Sequence, residues 1–289
     1  MAFFDALGQQ NFLLYALLAG WLASLGCGVM GSYVVVKRIG YLAGSIAHTV
    51  LGGMGFAYYL GVNPLSGALI SAILAALLIG WVSLKYKHQE DTLTGALFAL
   101  GMATGVLFIS QTPGYNVDLM SYLFGNILMV TEQQLIWMAV ADVIILLLVI
   151  IFYPIFQALC LDEEFAHLRG ISVAFFYMLL LCMVAVTVVL LIQVVGLILV
   201  IALLTLPAAI ASQYAGRLVH MMLGASLLGM LFTSGGLVVS YEYDLPAGAS
   251  MVVLAGIVYL VSSFINYLKP RWSGVSSARA PEQEINSHE

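Results

Sequence analysis

The chain has 289 residues, 63% of them hydrophobic and 8% charged, with a formal net charge of −5. A water-facing globule carries about 25% charged residues, so this composition cannot cover a soluble surface, and it excludes soluble enzymes, secreted disulfide scaffolds and disordered regulators. With 9 Lys and Arg against 14 Asp and Glu, no basic stripe exists to neutralise phosphates; nucleic acid is excluded as a partner and the lipid bilayer is the expected surrounding.

A helix needs about 20 apolar residues to cross the hydrocarbon, because its backbone N–H and C=O groups find no water there and must pair within the segment. Residues 11–36 form the first uncharged run, closed by Lys37 and Arg38. Residues 39–84 contain no Asp, Glu, Lys or Arg and hold two helices, with the break at the turn cluster Gly61-Val62-Asn63-Pro64. Lys85, Lys87, Glu90 and Asp91 close that stretch, and residues 93–117 give a fourth span ending in Gln111-Thr112-Pro113-Gly114. The next uncharged run, 119–131, is too short to span and reads as a re-entrant or interfacial helix.

Residues 133–161 form a long span holding Asp142. A polar segment, 162–169, follows. Residues 170–216 carry no formal charge and hold two helices hinged near Gln193 to Gly196, and 218–241 and 245–268 complete the set around Glu242-Tyr243-Asp244. The reading is an all-α, polytopic helical membrane protein with about eight or nine transmembrane helices plus the short re-entrant or interfacial helix. Residues 1–270 are one membrane domain, and 271–289, rich in Ser, Pro and charge, a disordered cytoplasmic tail. Residues 1–10 carry Asp5 and no positive n-region, so no signal peptide is expected.

Lys37/Arg38, Lys85/Lys87, Arg169, Arg217 and Lys269/Arg271 are each two predicted spans apart, so all of them can lie on one side. Lys and Arg near span ends stay in the cytoplasm, which puts the C-terminus there. The alternate connections carry only acids or neutral polar residues; Asp118, Glu132, Glu242 and Asp244 make an acidic outer rim. Cys27, Cys160 and Cys182 lack CxxC or metal spacing and read as small hydrophobes.

In a bilayer the informative residues are the polar ones inside the spans. His48 lies within the second span. Imidazole ligates divalent transition metals, so His48 is either a ligand on a pathway or a ring bonded to a neighbouring helix. Gly40, Gly44, Gly52, Gly53 and Gly55 surround it and permit close helix packing. Asp142 is the one acid deep inside a predicted span: a second ligand, a proton site, or a buried acid paired with a neighbour. Segment 162–170 is short and amphipathic, with Phe165 and Leu168 three apart on one face. Such a face can dock in a partner's groove, although spacing alone favours an ordinary interfacial loop.

Gly31-Ser32-Tyr33-Val34-Val35-Val36-Lys37-Arg38 followed by Tyr41-Leu42-Ala43-Gly44-Ser45-Ile46-Ala47-His48 resembles the signature of the permease subunits of bacterial zinc/manganese/iron ABC importers, the ABC-3 family. Asp162-Glu163-Glu164-Phe165-Ala166 with Gly170 is similar to that family's cytoplasmic coupling loop. The run Gly196 to Ala209 is similar to its Pro-Ala-Ala helix, Asp244-Leu245-Pro246-Ala247-Gly248 to its outer loop, and Ser121-Tyr122-Leu123-Phe124-Gly125 to a further patch. These matches stand in the family's order between about residues 12 and 268.

The resemblance implies a non-catalytic permease in the bacterial inner membrane, dimerised with a second, identical permease chain. It implies a cytoplasmic ABC ATPase dimer that hydrolyses the ATP, an extracytoplasmic metal-binding protein, and no cofactor bound by this chain. Asp162, Glu163, Glu164, Phe165, Ala166 and Gly170 become the segment coupled to the ATPase, and His48 a metal contact on the translocation path, with Asp142 a weaker candidate. Many members carry an Asp one turn before that histidine; here the position is Gly44. A contact poorer in oxygen favours zinc over manganese as the transported ion, since carboxylate suits manganese better. A secondary transporter would call for intramembrane acids or inverted repeats; Asp142 is the lone acid and no repeat is evident. No HExxH or other polar cluster suggests a membrane enzyme, and the His48 motif argues against a siderophore or cobalamin permease.

Overall fold

Each long apolar run folds into helix in the computed structural model, which describes residues 11–86, 90–112, 123 and 125–268. The helices are α1 (Asn11–Lys37), α2 (Gly40–Tyr59), α3 (Pro64–Lys85), α4 (Glu90–Ser110), α5 (Glu132–Leu161), α6 (Glu163–Leu168), α7 (Val173–Val195), α8 (Val200–Ser212), α9 (Leu218–Tyr243) and α10 (Ala247–Leu268). No strand occurs among the described residues. Local sequence sets the boundaries. Asn63 caps α3 by accepting a hydrogen bond from the Leu65 N–H at 2.9 Å, ahead of Pro64 in the first turn. Thr131 and Gln134 form a reciprocal capping box on α5. The α7–α8 break falls at the expected hinge, where Gly196 sits at φ +86°. Within α5, Pro154 removes a backbone donor, and the chain leaves helical geometry at Phe152.

Seven helices, all but α2, α6 and α8, are long and apolar enough to cross a membrane. Helix α8 is apolar but has only 13 residues. Helix α2 has 20 residues, but its glycines, tyrosines and His48 keep it outside the set of seven. The expected count of eight or nine therefore turns on these two, both packed inside the bundle: α2 against α3 and α4, α8 against α1, α9 and α10. Of the run 119–131, residues 119–122 and 124 lie outside the described residues; the remainder includes a 3-10 turn, Ile127–Met129, with Ile127 buried against α1 and α7. The tail 271–289 and residues 1–10 lie outside them as well.

Charge sorts along the bundle. Lys37 and Arg38 share a cavity of about 420 Å³ with Ser83, Cys160 and Glu163. Arg217 lines an adjoining one of about 650 Å³ that shares Cys160 and Val36. Lys85 ends α3 just beyond Ser83, and Arg169 ends α6 just beyond Glu163. The opposite end gathers Asn63, Thr131 and Gln193. Asn266 near the end of α10 donates to the Gln213 side chain at 2.6 Å, so α10 finishes at the cationic end.

Helices α2 and α4 meet along a seam of small residues. A Cβ on Gly55 would lie 2.6 Å from the Gly105 carbonyl oxygen, and one on Gly105 would lie 2.6 Å from that of Leu51. In lipid, apolar side chains gain little by leaving the solvent, so close backbone approach of this small-xxx-small kind supplies the packing. Replacing Gly105 by Leu is expected to lower stability by about 1–3 kcal/mol or more through overpacking. Gly256→Leu, with open space around it, should leave the melting temperature of the detergent-solubilised protein unchanged. Equal melting temperatures for the two variants would refute the seam's role.

Candidate functional site

His48 lies on α2 between the seam and the bundle interior. Its ring leans on Phe98 of α4, with centroids 4.0 Å apart and planes at 50°. Its Nδ1 is buried without a hydrogen-bond partner, and the Oγ of Ser45, one turn earlier on the same side, is in the same condition. Thr49 beside it is satisfied, its hydroxyl donating to the Ser45 carbonyl at 2.8 Å. Buried polar atoms are nearly always paired, and an unmade bond of this kind costs about 1–3 kcal/mol. An imidazole nitrogen left open in this way is chemically able to ligate a cation. At Gly44, a Cβ would lie 2.9 Å from Cδ1 of Ile201 on α8. An apolar methyl thus occupies the side where a carboxylate would project. Among the described residues no group of three or more His, Cys, Asp and Glu is placed to hold a resident metal ion.

Asp142 is 2% exposed, and neither carboxyl oxygen has a hydrogen-bond partner. It faces α1, where a Cβ on Gly26 would lie 2.7 Å from its Oδ1. The nearby Thr187 hydroxyl of α7 donates instead to the Met183 carbonyl at 3.0 Å. His48 and Asp142 are held against different helices, α4 and α1, and no contact brings them together.

Segment 162–170 folds as α6 and divides into two faces. Asp162 caps the helix, its Oδ1 accepting from the Glu164 and Phe165 N–H groups at 2.9 and 3.0 Å. Ala166 is fully buried, and Glu163 pairs with Lys37 of α1. Gly170, at φ +77°, closes the helix: its N–H bonds the His167 carbonyl at 2.9 Å and the Ile171 N–H bonds that of Ala166 at 3.2 Å. Glu163 and Ala166 therefore hold the helix to the bundle, while Asp162 and Gly170 close its two ends. Glu164, Phe165 and Leu168 point outward, with Leu168 85% exposed, and the Arg169 guanidinium lies 4.6 Å from the Phe165 ring. In the sequence Lys37 marks only a span end, because its partner lies 126 residues away and no local spacing signals the pair.

The profile of the ABC 3 transport family matches residues 9–266. An uncharacterized membrane protein of Synechocystis is 44% identical over 254 residues, covering 88% of this chain and 90% of the relative. A manganese transport system membrane protein of Halalkalibacterium halodurans is 33% identical over 290 residues, covering 99% and 98%. Among solved structures, PsaBC from Streptococcus pneumoniae in complex with a Fab superposes with a TM-score of 0.84 at 31% identity, covering 91% of this chain and 95% of that one.

Proposed function

The chain belongs to the ABC 3 transport family as a non-catalytic membrane component, and from that premise we propose that it is the permease subunit of an ATP-driven importer of a divalent transition metal, zinc ahead of manganese. The observation that carries the proposal is the buried, unpartnered Nδ1 of His48. A transit site must release its ion, so a nitrogen with few companions suits passage better than storage. Two copies of the chain would enclose the path, each contributing one His48. A cytoplasmic ATPase dimer would drive it, and an extracytoplasmic metal-binding protein would deliver the ion; family membership and the likeness to PsaBC support both partners.

The cationic end is assigned to the cytoplasm of the bacterial inner membrane by the positive-inside rule. Because α10 finishes at that end, the C-terminus is cytoplasmic. Helices α2 and α8 are read as spans, completing nine. Phe165 and Leu168 of α6 then face the ATPase, the apolar edge of a helix lying in a groove.

Zinc ranks first because Ile201 fills the side of α2 where an oxygen donor would stand, and imidazole nitrogen suits zinc while carboxylate suits manganese. The manganese named for the Halalkalibacterium relative makes the comparison direct. Uptake of radiolabelled zinc and manganese into proteoliposomes holding the whole transporter is expected to saturate at lower concentration for zinc and to require ATP. Preference for manganese would refute the choice of metal. Uptake driven by a proton gradient without ATP would refute the importer.

A further inference from the structure

The Lys37 ammonium sits where three helix ends meet. It belongs to the last turn of α1. It donates to the Leu159 carbonyl at 2.8 Å, in the last turn of α5, and to Oε1 of Glu163, in the first turn of α6. The Leu159 carbonyl is one of the acceptors a helix leaves open where it stops. The Lys37 side chain is 13% exposed, so water screens these charge-assisted bonds little. The Tyr177 ring of α7 lies 6.0 Å from the ammonium, and the Tyr177 hydroxyl shares a hydrogen bond of 3.1 Å with Ser83 of α3.

The connection onward from Lys37 is short and stiff. Arg38 takes the left-handed conformation at φ +60°. Its N–H bonds the Val35 carbonyl at 3.2 Å, and the Ile39 N–H reaches back to Val34 at 3.0 Å. This double closure is the Schellman motif, adopted here without the usual glycine. The Ile39 carbonyl then accepts from the Ala43 N–H at 3.1 Å, one turn into α2. No slack separates the Lys37 backbone from α2, and His48 follows about two and a half turns after Ile39.

We infer that Lys37 is the positioning residue that carries displacement of α6 to α2: its ammonium ties Glu163 of α6 to the rigid Arg38–Ile39 turn that begins the helix bearing His48. The inference rests on the proposed coupling of α6 to an ATPase and adds the route by which that coupling reaches the metal path. Without the ammonium, α6 still docks on the ATPase through Phe165 and Leu168, but its movement no longer shifts α2.

The test uses the complete transporter in proteoliposomes, with zinc as the probe, and reads zinc ions moved per ATP hydrolysed. Lys37→Met keeps the apolar stem and removes the charge; it is expected to lower that ratio by about tenfold or more, within the usual range of coupling between sites. The ATPase should co-purify as before and continue to hydrolyse ATP. Lys37→Arg restores the charge and the donors and is expected to hold the ratio within about threefold of the original, the extended fork costing some geometry. Glu163→Gln, which retains an acceptor but no charge, is expected to fall between them, and it decides the matter if Lys37→Met does not reach the membrane. An unchanged ratio in these loss variants overturns the inference, whether both rates are normal or fall in parallel as a mere structural clamp would make them. So does loss of the ATPase from Lys37→Met, which would make Lys37 part of docking. The coupling reading itself is tested separately at Phe165, so the two can fail independently.

Discussion

Replacing His48 by Ala is expected to reduce zinc uptake by at least about tenfold while membrane insertion and ATPase association stay intact. Groups that merely support a metal ligand are already worth about 10–100-fold in affinity or activity, so the ligand itself should be worth no less. The size of the loss follows from the surroundings. The Phe98 ring is an apolar neighbour, Ile201 fills the side of Gly44 one turn earlier, and the unpartnered Ser45 hydroxyl is a neutral group with weak affinity for zinc. Alanine also leaves a space beside the Phe98 ring, so a packing role has to be separated from a ligand role. His48→Leu does this, since it refills the space without a nitrogen. Uptake should stay low in both variants; recovery in His48→Leu would show that the ring serves packing alone. Normal uptake in His48→Ala would remove the residue from the path.

The second large effect is expected at α6. Replacing Glu164 by Ala and Phe165 by Asp together should separate ATP hydrolysis from transport, because both side chains project outward. Full burial of a phenylalanine contributes about 1.5–3 kcal/mol, and each 1.4 kcal/mol is about tenfold in affinity. The double variant should therefore bind the ATPase some 10–100-fold more weakly, and a carboxylate forced into an apolar groove adds to that loss. Asp162, Ala166 and Gly170, which fold the helix and seat it, are left in place, so the melting temperature of the permease should not move. Wild-type coupling in the double variant would refute the assignment of α6.

Much of this arrangement was readable from residues alone, and what was readable follows a physical rule. The bilayer forces backbone pairing within each segment, so charges and turn residues mark the ends of helices almost directly: Asn63 and Pro64 begin α3, and Gly196 breaks the long uncharged stretch. The gathering of Lys37, Arg38, Lys85, Arg169 and Arg217 at one end agrees with the same reading. What could not be read are relations between distant helices. The ring that packs on His48 is Phe98, which is 50 residues away, and the filling of the Gly44 side depends on Ile201. The separation of Asp142 from His48 follows from which neighbours each helix packs against, and hydropathy is blind to that. Among the residues of segment 162–170, resemblance alone treats all six as equivalent, whereas burial and pairing single out Ala166 and Glu163 as those that seat the helix, the others capping it or facing outward.

The glycine seam between α2 and α4 sets the unit of motion. Contacts made by backbone atoms have no rotamers to readjust, so α2 cannot slide on α4 by small side-chain repacking. Whatever pulls on the start of α2 must carry α4 as well, and the Phe98 ring travels with His48 instead of being left behind. The imidazole then keeps its apolar neighbour on α4 wherever α2 goes. By the same measure α3 joins the unit, since a Cβ on Gly53 would meet the Gly67 carbonyl oxygen, so α2, α3 and α4 make one rigid body around the histidine.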